Sequence, residues 1–206
     1  MKLKKKAKKV LIILLIILLI VLVILALQPF GKKEVKEAKI VSEIKEYGYK
    51  LKDNKPAKYK KMFAELKEIL EADEVDEEAY VKKISEMFIY DFYSLKDKSS
   101  KTDIGGVDFV HKDVLENFLE NAQSTYYKYV ENNIYGNRKQ SLPVVSNIQI
   151  DSTKQEEFKY GNETDDKAYL IDASWSYTDG KFSDYQKDGK LVFVHDGKKL
   201  CLVELQ

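Results

Sequence analysis

The sequence predicts an α+β protein, with an N-terminal transmembrane helix followed by about three helices packed on a curved antiparallel sheet of four to five strands. Three observations predict it. Residues 10–27 form an unbroken apolar run. From about residue 56 to 132 apolar residues recur at helical spacing, and after Gly136 the spacing changes from 3.6 to 2. Helices first and strands last segregate the two element types, which favours an antiparallel sheet.

Charge divides the chain the same way. The 206 residues hold 35 Lys+Arg and 34 Asp+Glu, but six Lys and no acid fall in residues 1–9 and no charge in 10–27, leaving the remainder at −5. Val10 to Leu27 is 18 residues of Val, Ile, Leu and Ala. At about 1.5 Å per residue it spans roughly 27 Å, close to the ~30 Å hydrocarbon core. It is longer than a signal-peptide core, Leu25-Ala26-Leu27-Gln28 is a poor cleavage site, and no Cys follows for lipid attachment. The reading is an uncleaved single-pass anchor. Lys2, Lys4, Lys5, Lys6, Lys8 and Lys9 outweigh Lys32, Lys33 and Lys36, so residues 1–9 are expected in the cytoplasm and the C-terminal domain outside it.

Residues 28–55 read as a juxtamembrane spacer, with Tyr47, Tyr49 and Leu51 alternating in a short strand and Asp53-Asn54-Lys55-Pro56 turning into the domain, 56–206. Tyr59, Met62, Phe63, Leu66, Ile69 and Leu70 make the stripe of a first helix. A second starts at Asp76 as N-cap, with Val75 and Tyr80 as a staple. Lys96–Gly106 is a polar loop, and a third helix runs from about Asp108 to Asn132. Strands follow from Pro143, over Glu157–Tyr160, over Ala168–Tyr177, over Leu191–His195 and over Leu200–Leu205, with Asn162–Asp165 a loop and Asp196-Gly197 a type I′ hairpin signal. Asp179-Gly180 and Asp188-Gly189 are either both turns, or Gly189 is a bulge in a strand from near Ser183; poor alternation over Lys181–Lys187 favours the bulge.

Three helices before an antiparallel meander, over residues 56–206, resemble the NTF2-like, or cystatin-like, cone fold. Stretches such as DIGGVDFV (Asp103–Val110) and YKYVENNIYGNRK (Tyr127–Lys139) are similar to small membrane-anchored proteins of Gram-positive bacteria. The resemblance implies a concave pocket between sheet and helices. It carries no functional residue, because that fold has no diagnostic motif and hosts enzymes, binders and assembly modules alike. The use of 34 Lys against one Arg, Arg138, suits an AT-rich bacterial genome.

No catalytic, cofactor or metal motif stands out. His111 and His195 lack metal-ligand spacing and read as solvated or edge histidines. Cys201 alternates with Leu200 and Leu202 as a small buried or edge thiol, and one Cys excludes a disulfide framework. Asp73, Glu74, Asp76, Glu77 and Glu78 lack the calcium-loop frame, and Gly105-Gly106 belongs to no phosphate-binding pattern. Asp172, with Ser174 and Ser176, lies opposite the apolar set Tyr169, Ile171, Ala173, Trp175 and Tyr177, so burial turns it to solvent. Fourteen Tyr, nine Phe and one Trp supply core and also offer platforms for peptide or carbohydrate. The acidic domain disfavours nucleic acid.

The expected function is a non-enzymatic, membrane-tethered, extracytoplasmic module of the bacterial envelope, binding an envelope protein or a wall-derived ligand without a cofactor. Two alternatives stay open: an envelope hydrolase using Asp172 and a histidine, and a structural spacer in a membrane complex.

Overall fold

The computed structural model describes residues 12–21, 23 and 38–206. Residues 12–21 are helical with exposed apolar side chains, and among the described residues no helix is long and apolar enough to cross a membrane. The basic tail 1–9, both ends of the expected span Val10–Leu27 and the Lys32–Lys36 flank lie outside the described residues.

Glu37–Gln206 forms one unit, of α+β class. It opens with a hairpin of β1 (Ile40–Ile44) and β2 (Tyr49–Lys52), then α1 (Ala57–Leu70), α2 (Glu77–Tyr93) and α3 (Lys112–Ser124). An antiparallel meander follows, in spatial order β3 (Val145–Tyr160), β4 (Glu163–Tyr177), β5 (Asp188–Asp196) and β6 (Lys199–Leu205).

The helical stripes fold as their spacing dictates. Tyr59, Met62, Phe63, Leu66 and Leu70 are buried on α1. Asp76 caps α2, its side chain accepting from the Ala79 N–H at 3.0 Å. α2 is the central element, since its last turns, from Met87 to Tyr93, are buried on every side.

Several boundaries differ from the sequence reading. The β1–β2 hairpin falls in the stretch read as spacer, yet Ile44, Tyr49 and Leu51 belong to the core, and the Tyr49 and Tyr80 hydroxyls share a 2.7 Å hydrogen bond. Tertiary burial, absent from a local reading of a charged segment, decides this. The third helix is shorter than Asp108–Asn132. It begins after a 3₁₀ turn at Val107–Phe109 and ends at Ser124, where the backbone leaves helical geometry at Thr125. Glu157–Tyr160 is the end of β3 rather than a separate strand, and Glu163–Asp165 opens β4. The stretch before Gly189 is not a long bulged strand: a 3₁₀ turn at Gly180–Phe182 buries Phe182, and β5 starts at Asp188. The β5–β6 loop is Gly197-Lys198, and among the described residues only glycines have positive φ. A type I′ turn needs positive φ at both loop residues, so this loop is not type I′.

The register of β4 follows the alternation. Tyr169, Ile171, Ala173 and Trp175 are buried against the helices, whereas Asp172 and Ser174 are half-exposed and Ser176 is exposed. The outer face is not solvated throughout. Ala168, Val192, Val194 and Cys201 are buried there, apart from the main core. β3 pairs with β4 through three register shifts, which bend the ribbon, and Tyr160 at its tip packs edge-on against His111, 5.5 Å between rings. His111 itself bonds β6, so the ribbon tip arcs over the outer face of β5 and β6.

Trp175 is the only tryptophan in the chain, is 5% exposed and lies 4.4 Å from the Tyr93 ring. Its emission should be blue-shifted and resist iodide quenching in the folded protein. A red-shifted, readily quenched indole would contradict the register of β4.

Candidate functional site

A hollow with a mainly apolar lining lies beneath α3. Val110 pairs in parallel with Leu202 of β6, the His111 N–H donates to the Leu202 carbonyl at 2.8 Å, and His111 Nδ1 accepts from the Asp113 N–H at 3.3 Å as N-cap. α3 therefore starts at the sheet edge. Only Ala122 of the helix is fully buried; Val114, Leu115, Phe118 and Leu119 are half-buried. The space left between α3 and Leu202–Gln206 is a cleft of about 430 Å³. Its size and its mainly apolar wall with a few polar groups suit a ligand site.

The floor is aromatic and rigid. Phe92 meets Phe118 at 5.3 Å and Tyr126 at 5.8 Å between centroids. The Tyr126 hydroxyl donates to the Tyr93 carbonyl at 3.3 Å and lies 3.2 Å from the Tyr177 hydroxyl, which receives Trp175 Nε1–H and donates to the Gln186 carbonyl at 2.6 Å. Burial pushes the Tyr93 and Tyr126 phenols well up, so the floor is neutral across the physiological range. Asn117, Asn121, Gln186 and Gln206 line the cleft with side-chain amides, and Glu204 is the one carboxyl side chain in the lining. Such a wall is suited to shape, stacking and amide hydrogen bonds, and its lining residues include no nucleophile paired with a base. A wider groove of about 830 Å³, between the β1–β2 hairpin and the α1–α2 turn, has a charged lining that includes the pairs Glu46–Lys198 and Lys67–Glu71.

A buried charge cluster lies where the lead-in of α1 and the 95–106 loop meet α2. Asp91 on α2 is 5% exposed; Lys55 Nζ reaches both its oxygens at 2.7 Å, Lys98 Nζ reaches Oδ1 at 2.7 Å, and the Gly106 N–H donates to Oδ2 at 2.9 Å. Burial pushes Asp91 up, but Lys98 and Lys55 overcome it and hold the carboxyl well below the usual range. Lys98, 3% exposed, is pushed down by burial and raised on balance by Asp91 and Asp97. The two glycines are steric requirements of this packing. A Cβ on Gly105 would lie 2.0 Å from the Asp91 carbonyl oxygen, and one on Gly106, at φ +76°, would lie 2.6 Å from Phe88. The Tyr127 hydroxyl, donating to the Phe92 carbonyl at 2.6 Å and accepting from the Gly105 N–H at 3.0 Å, closes the loop onto α2. With every charge matched, the cluster is a clamp rather than a reaction centre.

The residues weighed from the sequence are dispersed. Asp172 accepts from the Ser152 hydroxyl at 2.5 Å on the outer face, and neither histidine bonds it. His195 pairs instead with Asp165, Nδ1 to Oδ2 at 2.8 Å, while its Nε2 lies 3.6 Å from Glu77. Nδ1 is thus held by Asp165, and only Nε2 is without a hydrogen bond to a side chain. Burial pushes Asp165 up, but the His195 and Lys167 N–H groups and the His195 ring bring it below its ordinary value. His111 is buried as a cap rather than solvated. Cys201 is buried, and burial pushes its thiol up. Among the described residues no three His, Cys, Asp or Glu are arranged to hold a metal.

Asp91 went unremarked in the sequence although a signal existed. An acid inside the all-round apolar run Met87–Tyr93 must be paired. Lys55 and Lys98, in polar stretches, gave none.

Asp91→Asn should cost about 3–5 kcal/mol in urea unfolding, because it leaves buried Lys98 without its main counter-charge. An Asp held low in the fold stabilises above its unfolded pKa of about 3.9 and loses that contribution as pH falls below it. The wild type should therefore lose stability on acidification from about pH 4 downward, and Asp91→Asn should flatten that limb. An unchanged acid limb would mean the carboxyl is not held low.

Compared with known proteins, the chain matches no family model, no curated protein and no solved structure, so the chemistry of the cleft is what speaks to its role.

Proposed function

We propose that the protein is a non-enzymatic binding module of the bacterial envelope, anchored by one membrane helix over Val10–Leu27, with its α+β domain outside the cytoplasm. Its ligand, an envelope protein or a wall-derived molecule, sits in the cleft beneath α3. The observation that carries this reading is the cleft itself, with its neutral aromatic floor and amide rim and no attendant nucleophile and base. Aromatic floors supply contact area at low entropic cost, and amide rims supply orientation.

The anchor rests on sequence and on partial structural support. Eighteen uncharged residues follow six lysines, and the described part, 12–21, is helical with its Ile, Leu and Val side chains exposed. Exposed side chains of that kind are stable in hydrocarbon and costly in water. The order of three helices before a meander supports the likeness to the NTF2-like cone, in which a cleft between helix and sheet is the natural ligand position.

In intact cells, protease added outside should degrade a C-terminal tag on the full chain; degradation only after the membrane is breached would reverse the topology. A photo-reactive phenylalanine at Asn121 should cross-link a discrete partner in cells, whereas one at exposed Lys61 of α1 should not. Equal labelling from both positions would remove the cleft as the binding site.

A further inference from the structure

We propose that the cleft takes an extended polypeptide segment of a partner protein, added to the free edge of β6 as a fifth strand and carrying an aliphatic residue flanked by Lys or Arg. This rests on the reading of the cleft as the binding site and names its ligand.

Among the described residues β6 is an edge strand, paired in the sheet with β5. Gln206 exchanges both backbone hydrogen bonds with Lys190, at 3.0 and 3.1 Å. Hydrogen-bonded pairs alternate along an antiparallel ladder, so Leu205, opposite Leu191, turns its N–H and C=O away from β5 and into the cleft. The neighbouring strand position is already begun by this chain: Val110 bridges Leu202 in parallel, then the backbone turns off into α3 at Lys112. Beside Val203–Gln206 that position is vacated, over roughly 13 Å at about 3.3 Å per residue.

What fills it is constrained on three sides. α3 walls the trough opposite β6. Phe92, Phe118 and Tyr126 below offer an apolar seat for one side chain, and Asn117 and Asn121 above present donors and acceptors matched to peptide groups. Charge on the lining is acidic: Glu204 lines the cleft and no Lys or Arg does. A basic segment complements it. The opposite edge of the sheet is guarded, since β3 is broken by three register shifts and carries Asp151, Lys154, Glu156, Glu157 and Lys159.

A displayed library of random heptapeptides, panned on the full chain in lipid nanodiscs, tests this. Enriched peptides should place an aliphatic residue between basic ones, and Asn121→Trp, which fills the trough, should abolish their binding. One N-methyl group on the central amide, and Leu205→Pro in the protein, should each weaken a synthetic enriched peptide about tenfold or more, the loss of a buried hydrogen bond or two. Leu205→Ala keeps the N–H, so the same peptide should bind it several-fold more tightly than it binds Leu205→Pro. Unchanged Trp175 emission in Leu205→Pro confirms that the fold survives. Peptides that need the cleft yet tolerate both N-methylation and Leu205→Pro would overturn strand addition and leave the cleft as a binding site. No enrichment over the Asn121→Trp protein would overturn the peptide ligand, while cross-linking from position 121 separately decides whether the cleft binds anything.

Discussion

A carboxylate buried in the middle of a helix has few ways to persist, and the arrangement of this domain turns on the one at Asp91. Leaving it unpaired would cost several kcal/mol, so its oxygens collect Lys55, Lys98 and the Gly106 N–H from separate parts of the chain. Each partner fixes a different element. Lys55 ties the lead-in of α1 to α2, and Lys98 with Gly106 folds the 95–106 loop onto α2. Arg138 braces that loop from outside through the Lys96 and Lys98 carbonyls, at 2.8 and 2.9 Å, and the Glu131 carbonyl at 3.0 Å. Where this loop ends sets where Val110 meets β6, and hence where α3 begins.

The cleft is a consequence of that placement. α3 arrives at the rim of the sheet instead of its face, so its apolar stripe is only half covered, and the aromatic rings of α2 and the 125–127 turn become a floor. Phe92 touches Phe88, Phe118, Tyr126 and Tyr127, and the phenol hydroxyls above it are chained to carbonyls and to one another. Few of these groups can rearrange without losing a hydrogen bond, which makes the floor preorganised for whatever it meets.

The sheet manages its two faces differently along its length. Near Ser174 and Ser176 the outer face meets water, as alternation dictates. Towards the β5–β6 turn, bulges in β3 bend the ribbon until Phe158, Leu170 and Val192 line one hollow and Tyr160 reaches His111. Val194 and Cys201 are covered in the process. The Cys201 thiol, read as small and buried or at an edge, is the buried alternative: it sits in a second small apolar layer, where burial pushes its pKa up.

Local physics was enough for part of this. The stripes of α1 and α2, the Asp76 cap and the inward face of β4 were legible because a periodic apolar pattern admits one buried face. The sequence also determined the uncharged run at 10–27 and the acidic balance of the domain. It did not determine that Ile44, Tyr49 and Leu51 are core, that α3 stops at Ser124, or that Asp165 rather than Asp172 meets His195, because each depends on partners 30 or more residues away. The pairing of Asp91 with Lys55 and Lys98, and the trough left where Val110 turns into α3, exist only once the helices are docked on the sheet. A strand edge and a half-covered helix have no signature in either segment alone; packing one beside the other makes the site.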